Sequence, residues 1–226
     1  MAAPPAYGRP SSGGQRRRLL LPLGIALAAL ALWDTFLVYP FRLFVVFLHE
    51  ISHGLAAVFT GGAIESIGLS VDESGVCRTR GGWPFLILNA GYLGSLFWGA
   101  TFLVLGERRT RSRTVVAVIG AFTLVVTLFY VRTLFGFSYG LLAGGALLAV
   151  ATKLRPTVSE VLLAAIGATS ALYAVWDIAS DVVLRHSNQS DAAALAQLTG
   201  IPATVWGVVW IALSLSVLGY VVKRLA

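Results

Sequence analysis

Two histidines and a glutamate stand together in FLHEISHGLAAVFTGG, residues 47–62, a stretch that otherwise reads as apolar. His49-Glu50-Ile51-Ser52-His53 has the form H-E-x-x-H. On a helix, residues four apart lie on one face, so both imidazoles can ligate a single zinc ion. Glu50, one residue along, can reach a water on that zinc and take its proton as a general base. Zinc lowers the pKa of such a water to about 7, which makes hydroxide available near neutrality. The competing reading is a chance match, with the imidazoles serving as interhelical hydrogen-bond partners. Two observations favour the metal. Only three histidines occur in the chain, and two of them are these. Three ionisable groups in an apolar segment also need a compensating partner, and a divalent cation is the strongest one available.

The elements that must hold these groups are membrane helices. The chain of 226 residues is 57% hydrophobic and only 12% charged, with a mean hydropathy of +0.81. Soluble domains run nearer a quarter charged. The formal charge is +7, from 17 basic and 10 acidic residues. The basic residues cluster between apolar runs, as in cytoplasmic loops, and no nucleic-acid motif accompanies them, so nucleic acid is excluded as a partner. A single cysteine, Cys77, rules out an internal disulfide and reads as a small apolar filler.

Residues 1–18 (MAAPPAYGRPSSGGQRRR) read as a disordered tail ending in a basic stop at the membrane surface. Residues 19–226 then form one integral membrane domain. A first apolar run, from Leu19 through Trp33 to Tyr39, is long enough for an uncleaved anchor. Six more follow: Phe41 to Phe59 with the histidines, Trp83 to Leu105, Thr114 to Val131, Leu134 to Ala151, Val158 to Leu184, and about Pro202 to Val222. Recurrent glycines (Gly91, Gly94, Gly99; Gly140, Gly144, Gly145) allow close helix contacts in lipid. The fold class is therefore an all-α polytopic bundle of about six to seven transmembrane helices in the lipid bilayer.

One segment departs from this pattern. In AIESIGLSVDESGVCRTRGG, residues 63–82, Asp72-Glu73-Ser74-Gly75 makes a turn between two short strands, a β-hairpin after the zinc-motif helix. Its backbone cannot be left open to lipid, so it must lie at the interface or inside a protein cavity. The clusters Arg108/Arg109/Arg111/Arg113, Lys153/Arg155 and Lys223/Arg224 are each two spans apart, which puts all three, and the C-terminus, on the cytoplasmic side. With seven full spans Arg16–Arg18 would fall on the opposite side. Either the tail is an exception or one early segment does not fully cross.

HEISH followed by Gly-Gly, a hairpin ending GVCRTRGG and an NAGYLGS segment together resemble the site-2 protease class of intramembrane zinc metallopeptidases, in its compact peptidase-family-B-like bacterial branch. The resemblance extends from Pro40 to Trp210. It implies a bacterial cell membrane and a zinc-dependent endopeptidase that hydrolyses peptide bonds in or beside transmembrane segments of membrane-protein substrates. In that class a third zinc ligand is the aspartate of a Leu-Asp-Gly motif on a later helix, and this chain has no Leu-Asp-Gly.

Three aspartates are candidates for that role. Asp191, in NQSDAAALAQLTGIP, matches best by position, although Ser190 or Asp191 could instead simply cap a helix over Ala192 to Leu198. Asp177 and Asp181, in YAVWDIASDVVL, share a helix face and could instead make interhelical polar contacts. Asn89 could bond a substrate carbonyl, hold the hairpin, or be satisfied by a neighbouring helix. Asp34, Glu65 and His186 read as solvated. A non-proteolytic membrane protein that keeps the fold, as a scaffold or transporter-like bundle, is the alternative function. The inverted repeats expected of a transporter are not evident.

Overall fold

A computed structural model describes residues 12–106, 109–179 and 190–225. Eight helices and one hairpin make up the described chain: α1 (Ser12–Ala31), α2 (Tyr39–Phe59), β1 (Ala63–Leu69), β2 (Gly75–Arg80), α3 (Pro84–Leu105), α4 (Arg109–Tyr130), α5 (Leu134–Lys153), α6 (Pro156–Ala179), α7 (Asp191–Thr199) and α8 (Ala203–Leu225). Six of them, α2 to α6 and α8, are long and apolar enough to cross a membrane.

The first apolar run departs from the expected anchor. Helix α1 stops at Ala31, the chain turns over residues 32–38, and α2 begins at Tyr39. The apolar part of α1 is Leu20–Ala31, roughly 18 Å of helix at ~1.5 Å per residue, against a hydrocarbon core of ~30 Å. Trp33, Asp34 and Thr35 interrupt the hydrophobic run where a spanning helix would need its last turns. A helix this short is compatible with the alternative in which one early segment does not fully cross.

Helix α2 is the centre of the bundle: 67% of its apolar window is buried, against 22% for α8. Pro40 in its first turn is compatible with a helix start, because that position has no intrahelical partner for an N–H. Phe44, Phe47, Leu48 and Ile51 pack into a core shared with α3, α4, α5, α6 and β1. Glycines let α3 approach its neighbours closely. A Cβ on Gly99 would stand 2.9 Å from the Ala171 backbone of α6, and one on Gly94 would run into the Ser52 side chain of α2.

The hairpin is antiparallel, with Ile67 opposite Cys77, and β1 is fastened on its other side. Ile67 bridges Val131 in parallel, and Arg132 N–H donates to the Ile67 carbonyl at 3.0 Å. Thr133 Oγ1 accepts from Leu69 N–H at 3.1 Å and donates to the Leu69 carbonyl at 2.9 Å. Ile67 and Leu69 are buried. The strand is thus carried inside protein, and bonds from the α4–α5 connection satisfy its backbone, as lipid surroundings require. Among the described residues no strand pairs with the outer edge of β2.

Candidate metal centre

Arg42, Val46, His49, Glu50 and His53 share one face of α2, and all line a cavity of about 790 Å³ enclosed by α2, the hairpin, α3, α6 and the start of α7. The spacing of the two histidines brings their rings to 4.8 Å between centroids. Asp191 comes from the first turn of α7. Ser190 caps that helix by accepting from Ala193 N–H at 3.3 Å, which leaves the Asp191 carboxylate free to face α2. Asp191 Oδ2 lies 3.1 Å from His49 Nε2 and 3.1 Å from His53 Nε2. Gly200, at φ 72°, ends α7 in the left-handed conformation that favours glycine. Ala192 and Leu195 bury the helix against Tyr92, Ile178 and Trp210.

Whether these residues suit a metal can be judged from their chemistry. One ligand atom from each of His49, His53 and Asp191 falls within a group no wider than 4.8 Å. Adjacent ligands of a tetrahedral zinc with bonds of ~2.0–2.2 Å are roughly 3.3 Å apart, close to the two 3.1 Å separations here. His53 Nδ1 donates to the Ile87 carbonyl at 2.6 Å, the outer hydrogen bond that fixes a ligating imidazole with Nε2 forward. His53 therefore faces two groups that only accept, a carbonyl and a carboxylate. A cation at Nε2 resolves that conflict. Gly91 supplies the room: a Cβ there would stand 2.5 Å from His53 Nε2 and 2.6 Å from Asp191 Oδ2, and would run into His49 Nε2. The donors fit a zinc-type ion.

Glu50 stands beside this group, 7% exposed. Its carboxylate accepts from the Cys77 backbone N–H of β2. Gly75 packs on it so closely that a Cβ would lie 2.5 Å from Oε1.

Of the other aspartates weighed as ligands, Asp177 lines the same cavity from α6 but stands outside the group of ligand atoms. Asp181 and His186 lie outside the described residues. Asn89 is held by its neighbours: its amide donates to the Phe85 carbonyl at 2.8 Å and its oxygen accepts from Trp210 Nε1 at 2.8 Å. It ties α3 to α8 and does not line the cavity. Asp34 is 97% exposed at its side chain, and Glu65 is exposed as well, 3.6 Å from Arg80. Cys77 packs against the core as a small, partly buried apolar residue; the residue also lines the cavity, and burial pushes its thiol pKa up to about 12.

Sequence reasoning missed three participants. Tyr92 meets the His49 ring edge-on at 5.3 Å and packs on Trp210 at 4.7 Å. Gly91, in sequence a packing glycine and part of the NAGYLGS segment, also keeps the space between the three donors open. Arg42 carried a usable signal, as a lone cation two turns before His49 on the same helix face.

A multi-pass helical membrane protein with a largely buried His-His-Asp group beside a glutamate is the class that fold and site define. The chain belongs to the Peptidase M50B-like family, whose model matches residues 23–221. That membership places it among peptidases and agrees with the site-2 protease resemblance. No curated protein and no solved structure gives a significant match.

Proposed function

We propose that the chain is an intramembrane zinc metalloprotease that hydrolyses peptide bonds in or next to transmembrane segments. The observation that carries this reading is the gathering of His49, His53 and Asp191 around a space kept open by Gly91, with Glu50 at its rim and a cavity large enough for a peptide segment. Zinc held by the three residues would act as a Lewis acid toward the scissile carbonyl and lower the pKa of bound water to about 7.

The rest of the work falls to the chain. The Glu50 carboxylate takes a proton from the attacking water and returns it to the leaving amine. The Cys77 N–H aims that carboxylate, and the Ile87 carbonyl fixes the His53 ring. The open edge of β2, along the cavity wall, offers backbone donors and acceptors to an extended substrate. A transmembrane helix unwound there exchanges its lost hydrogen bonds for these. The substrate is a membrane protein or transmembrane peptide, and the setting is a bacterial cell membrane with the C-terminus cytoplasmic, as the basic clusters suggest.

The test is cleavage of a transmembrane reporter by purified protein in lipid, wild type beside Glu50→Gln. The reading expects zinc at one per chain in both proteins, and cleavage in the wild type reduced by about 10²–10⁴-fold in the variant. Equal cleavage would remove Glu50 from its role. Zinc bound without any cleavage of transmembrane reporters would favour the non-proteolytic scaffold.

A further inference from the structure

Arg42 lines the metal cavity from the second turn of α2, and its contacts reach the hairpin tip. Its Nη2 is 2.8 Å from Glu73 Oε1, its guanidinium lies 5.6 Å from the centre of the Trp33 ring, and its Nε is buried without a hydrogen-bond partner. Asp34, at 3.8 Å, is nearly fully exposed and contributes little. Glu73 is different, with a side chain only 19% exposed. It is also the one non-glycine residue among those described with a positive φ, 65°.

Backbone of that kind persists where its surroundings over-determine it. The turn's own bonds bypass the Glu73 side chain. Asp72 Oδ1 accepts from Ser74 N–H at 3.2 Å and from Ser74 Oγ–H at 2.7 Å. What the Glu73 carboxylate reaches is Arg42. A second tie runs beside it, from the Tyr39 hydroxyl to the Val71 carbonyl at 2.7 Å. Immediately beyond the tip, Gly75 leaves room for the Glu50 side chain, which a Cβ there would meet at 2.5 Å, and the Cys77 N–H bonds its carboxylate.

We propose that the Arg42–Glu73 ion pair is a latch that holds the hairpin turn closed over the metal cavity and thereby seats the Gly75–Cys77 backbone against Glu50. Arg42 and Glu73 are then positioning residues that act through the hairpin. When the pair parts, β1 stays fastened by Val131–Thr133 while the turn and β2 lift away from α2, which opens the cavity wall to an extended chain. This rests on the proposed function only for the role of Glu50; closure itself is observable without catalysis.

Cys77, the chain's single cysteine, reports on closure directly. Burial holds its pKa at about 12 in the closed wall, whereas a free thiol titrates near ~8.5 and reacts as thiolate. Full-length zinc-loaded protein in lipid nanodiscs is pulsed with a maleimide at pH 8, and labelling is read by intact mass. Glu73→Gln is expected to raise the labelling rate at least tenfold. Glu73→Gly should do the same, although glycine relieves the strained backbone and favours the turn. The exchanged pair Arg42→Glu/Glu73→Arg should return the rate to within threefold of wild type. Labelling of Glu73→Gly at the wild-type rate would overturn the latch, because the turn and the β1 pairing would then suffice to keep the hairpin shut. An exchanged pair that labels as fast as Glu73→Gln would overturn it too. A wild type that binds no zinc counts against the proposed function, while the labelling comparison still decides the latch.

Discussion

Gly91 and His53 face each other across the contact between α3 and α2, so close that a Cβ on Gly91 would stand 2.5 Å from His53 Nε2. The same Cβ would meet Asp191 Oδ2 at 2.6 Å. Hydrogen in place of a side chain therefore keeps the space between the three donors open. The expected outcome for Gly91→Ala is a folded protein that has lost its metal, since alanine is a good helix former and only the donor cluster lacks room for it. Elemental analysis after detergent purification should find zinc well below one-tenth per chain, with helical circular dichroism unchanged. Retention of stoichiometric zinc would place the metal elsewhere.

Asp191 and Asp177 both line the cavity, and only the first has an oxygen among the ligand atoms. Removing one of three protein ligands should weaken zinc binding more than the ~10–100-fold typical of losing an outer partner. Asp191→Ala is thus expected to drop zinc affinity beyond that range and to abolish cleavage with it. Asp177→Ala should keep zinc within tenfold of wild type. Competition with a chromophoric chelator measures both. Should Asp177→Ala strip the zinc and Asp191→Ala spare it, the third ligand comes from α6.

How much of this was legible in the sequence follows from where each signal resides. His49, Glu50 and His53 are close in the chain and fixed by helical periodicity, so their geometry follows from spacing alone. The hairpin was readable because Asp72 to Gly75 are turn formers between alternating segments. Its fastening by Val131, Arg132 and Thr133 was not, because pairing across more than sixty residues leaves no local trace. Asp191 was reached only by its position in the family resemblance: as the residue after a capping serine it looks locally ordinary, and the packing of Ala192 and Leu195 on Tyr92 and Trp210 is what turns its carboxylate toward α2. The first apolar run was misleading for another reason. Hydropathy measures the length of a run, and the break after Ala31 comes from a few residues within it that local composition averages away.

Asn89 illustrates a polar residue in a membrane helix whose partners are its protein neighbours rather than the candidate metal site. Trp210 Nε1 donates to its side-chain oxygen at 2.8 Å, and Trp210 is 1% exposed. Asn89→Ala strands that indole N–H in an apolar setting, at a cost of about 1–3 kcal/mol. Unfolding of the protein by denaturant in mixed micelles should show a loss of this size. Asn89→Ala/Trp210→Phe should recover most of it, since neither partner is then left unpaired. Zinc affinity in the double variant should stay near wild type. A large loss of zinc there would move Asn89 into the site itself.

Ser190 offers a finer test of how the Asp191 carboxylate is brought to the two histidines. Its hydroxyl accepts from Ala193 N–H at 3.3 Å and caps the nine-residue helix α7, whose first residue is Asp191. A helix this short has little stability of its own and depends on its caps and on packing. Ser190→Ala should cost roughly 1 kcal/mol of helix stability. That cost is small against the packing of Ala192 and Leu195, which are fully buried, so the bundle should remain folded. Its effect should fall on the first turn, and hence on the Asp191 carboxylate that faces His49 and His53. Zinc affinity is expected to weaken about three- to tenfold, and Ser190→Asp, which can also accept at the N-cap, should restore it. A Ser190→Ala protein with wild-type affinity would mean that α7 is held in place by Leu195 and Ala192 alone. A loss as large as that of Asp191→Ala would mean that the cap and the ligand form a single unit, with Asp191 unable to reach the histidines unless Ser190 first fixes the start of its helix.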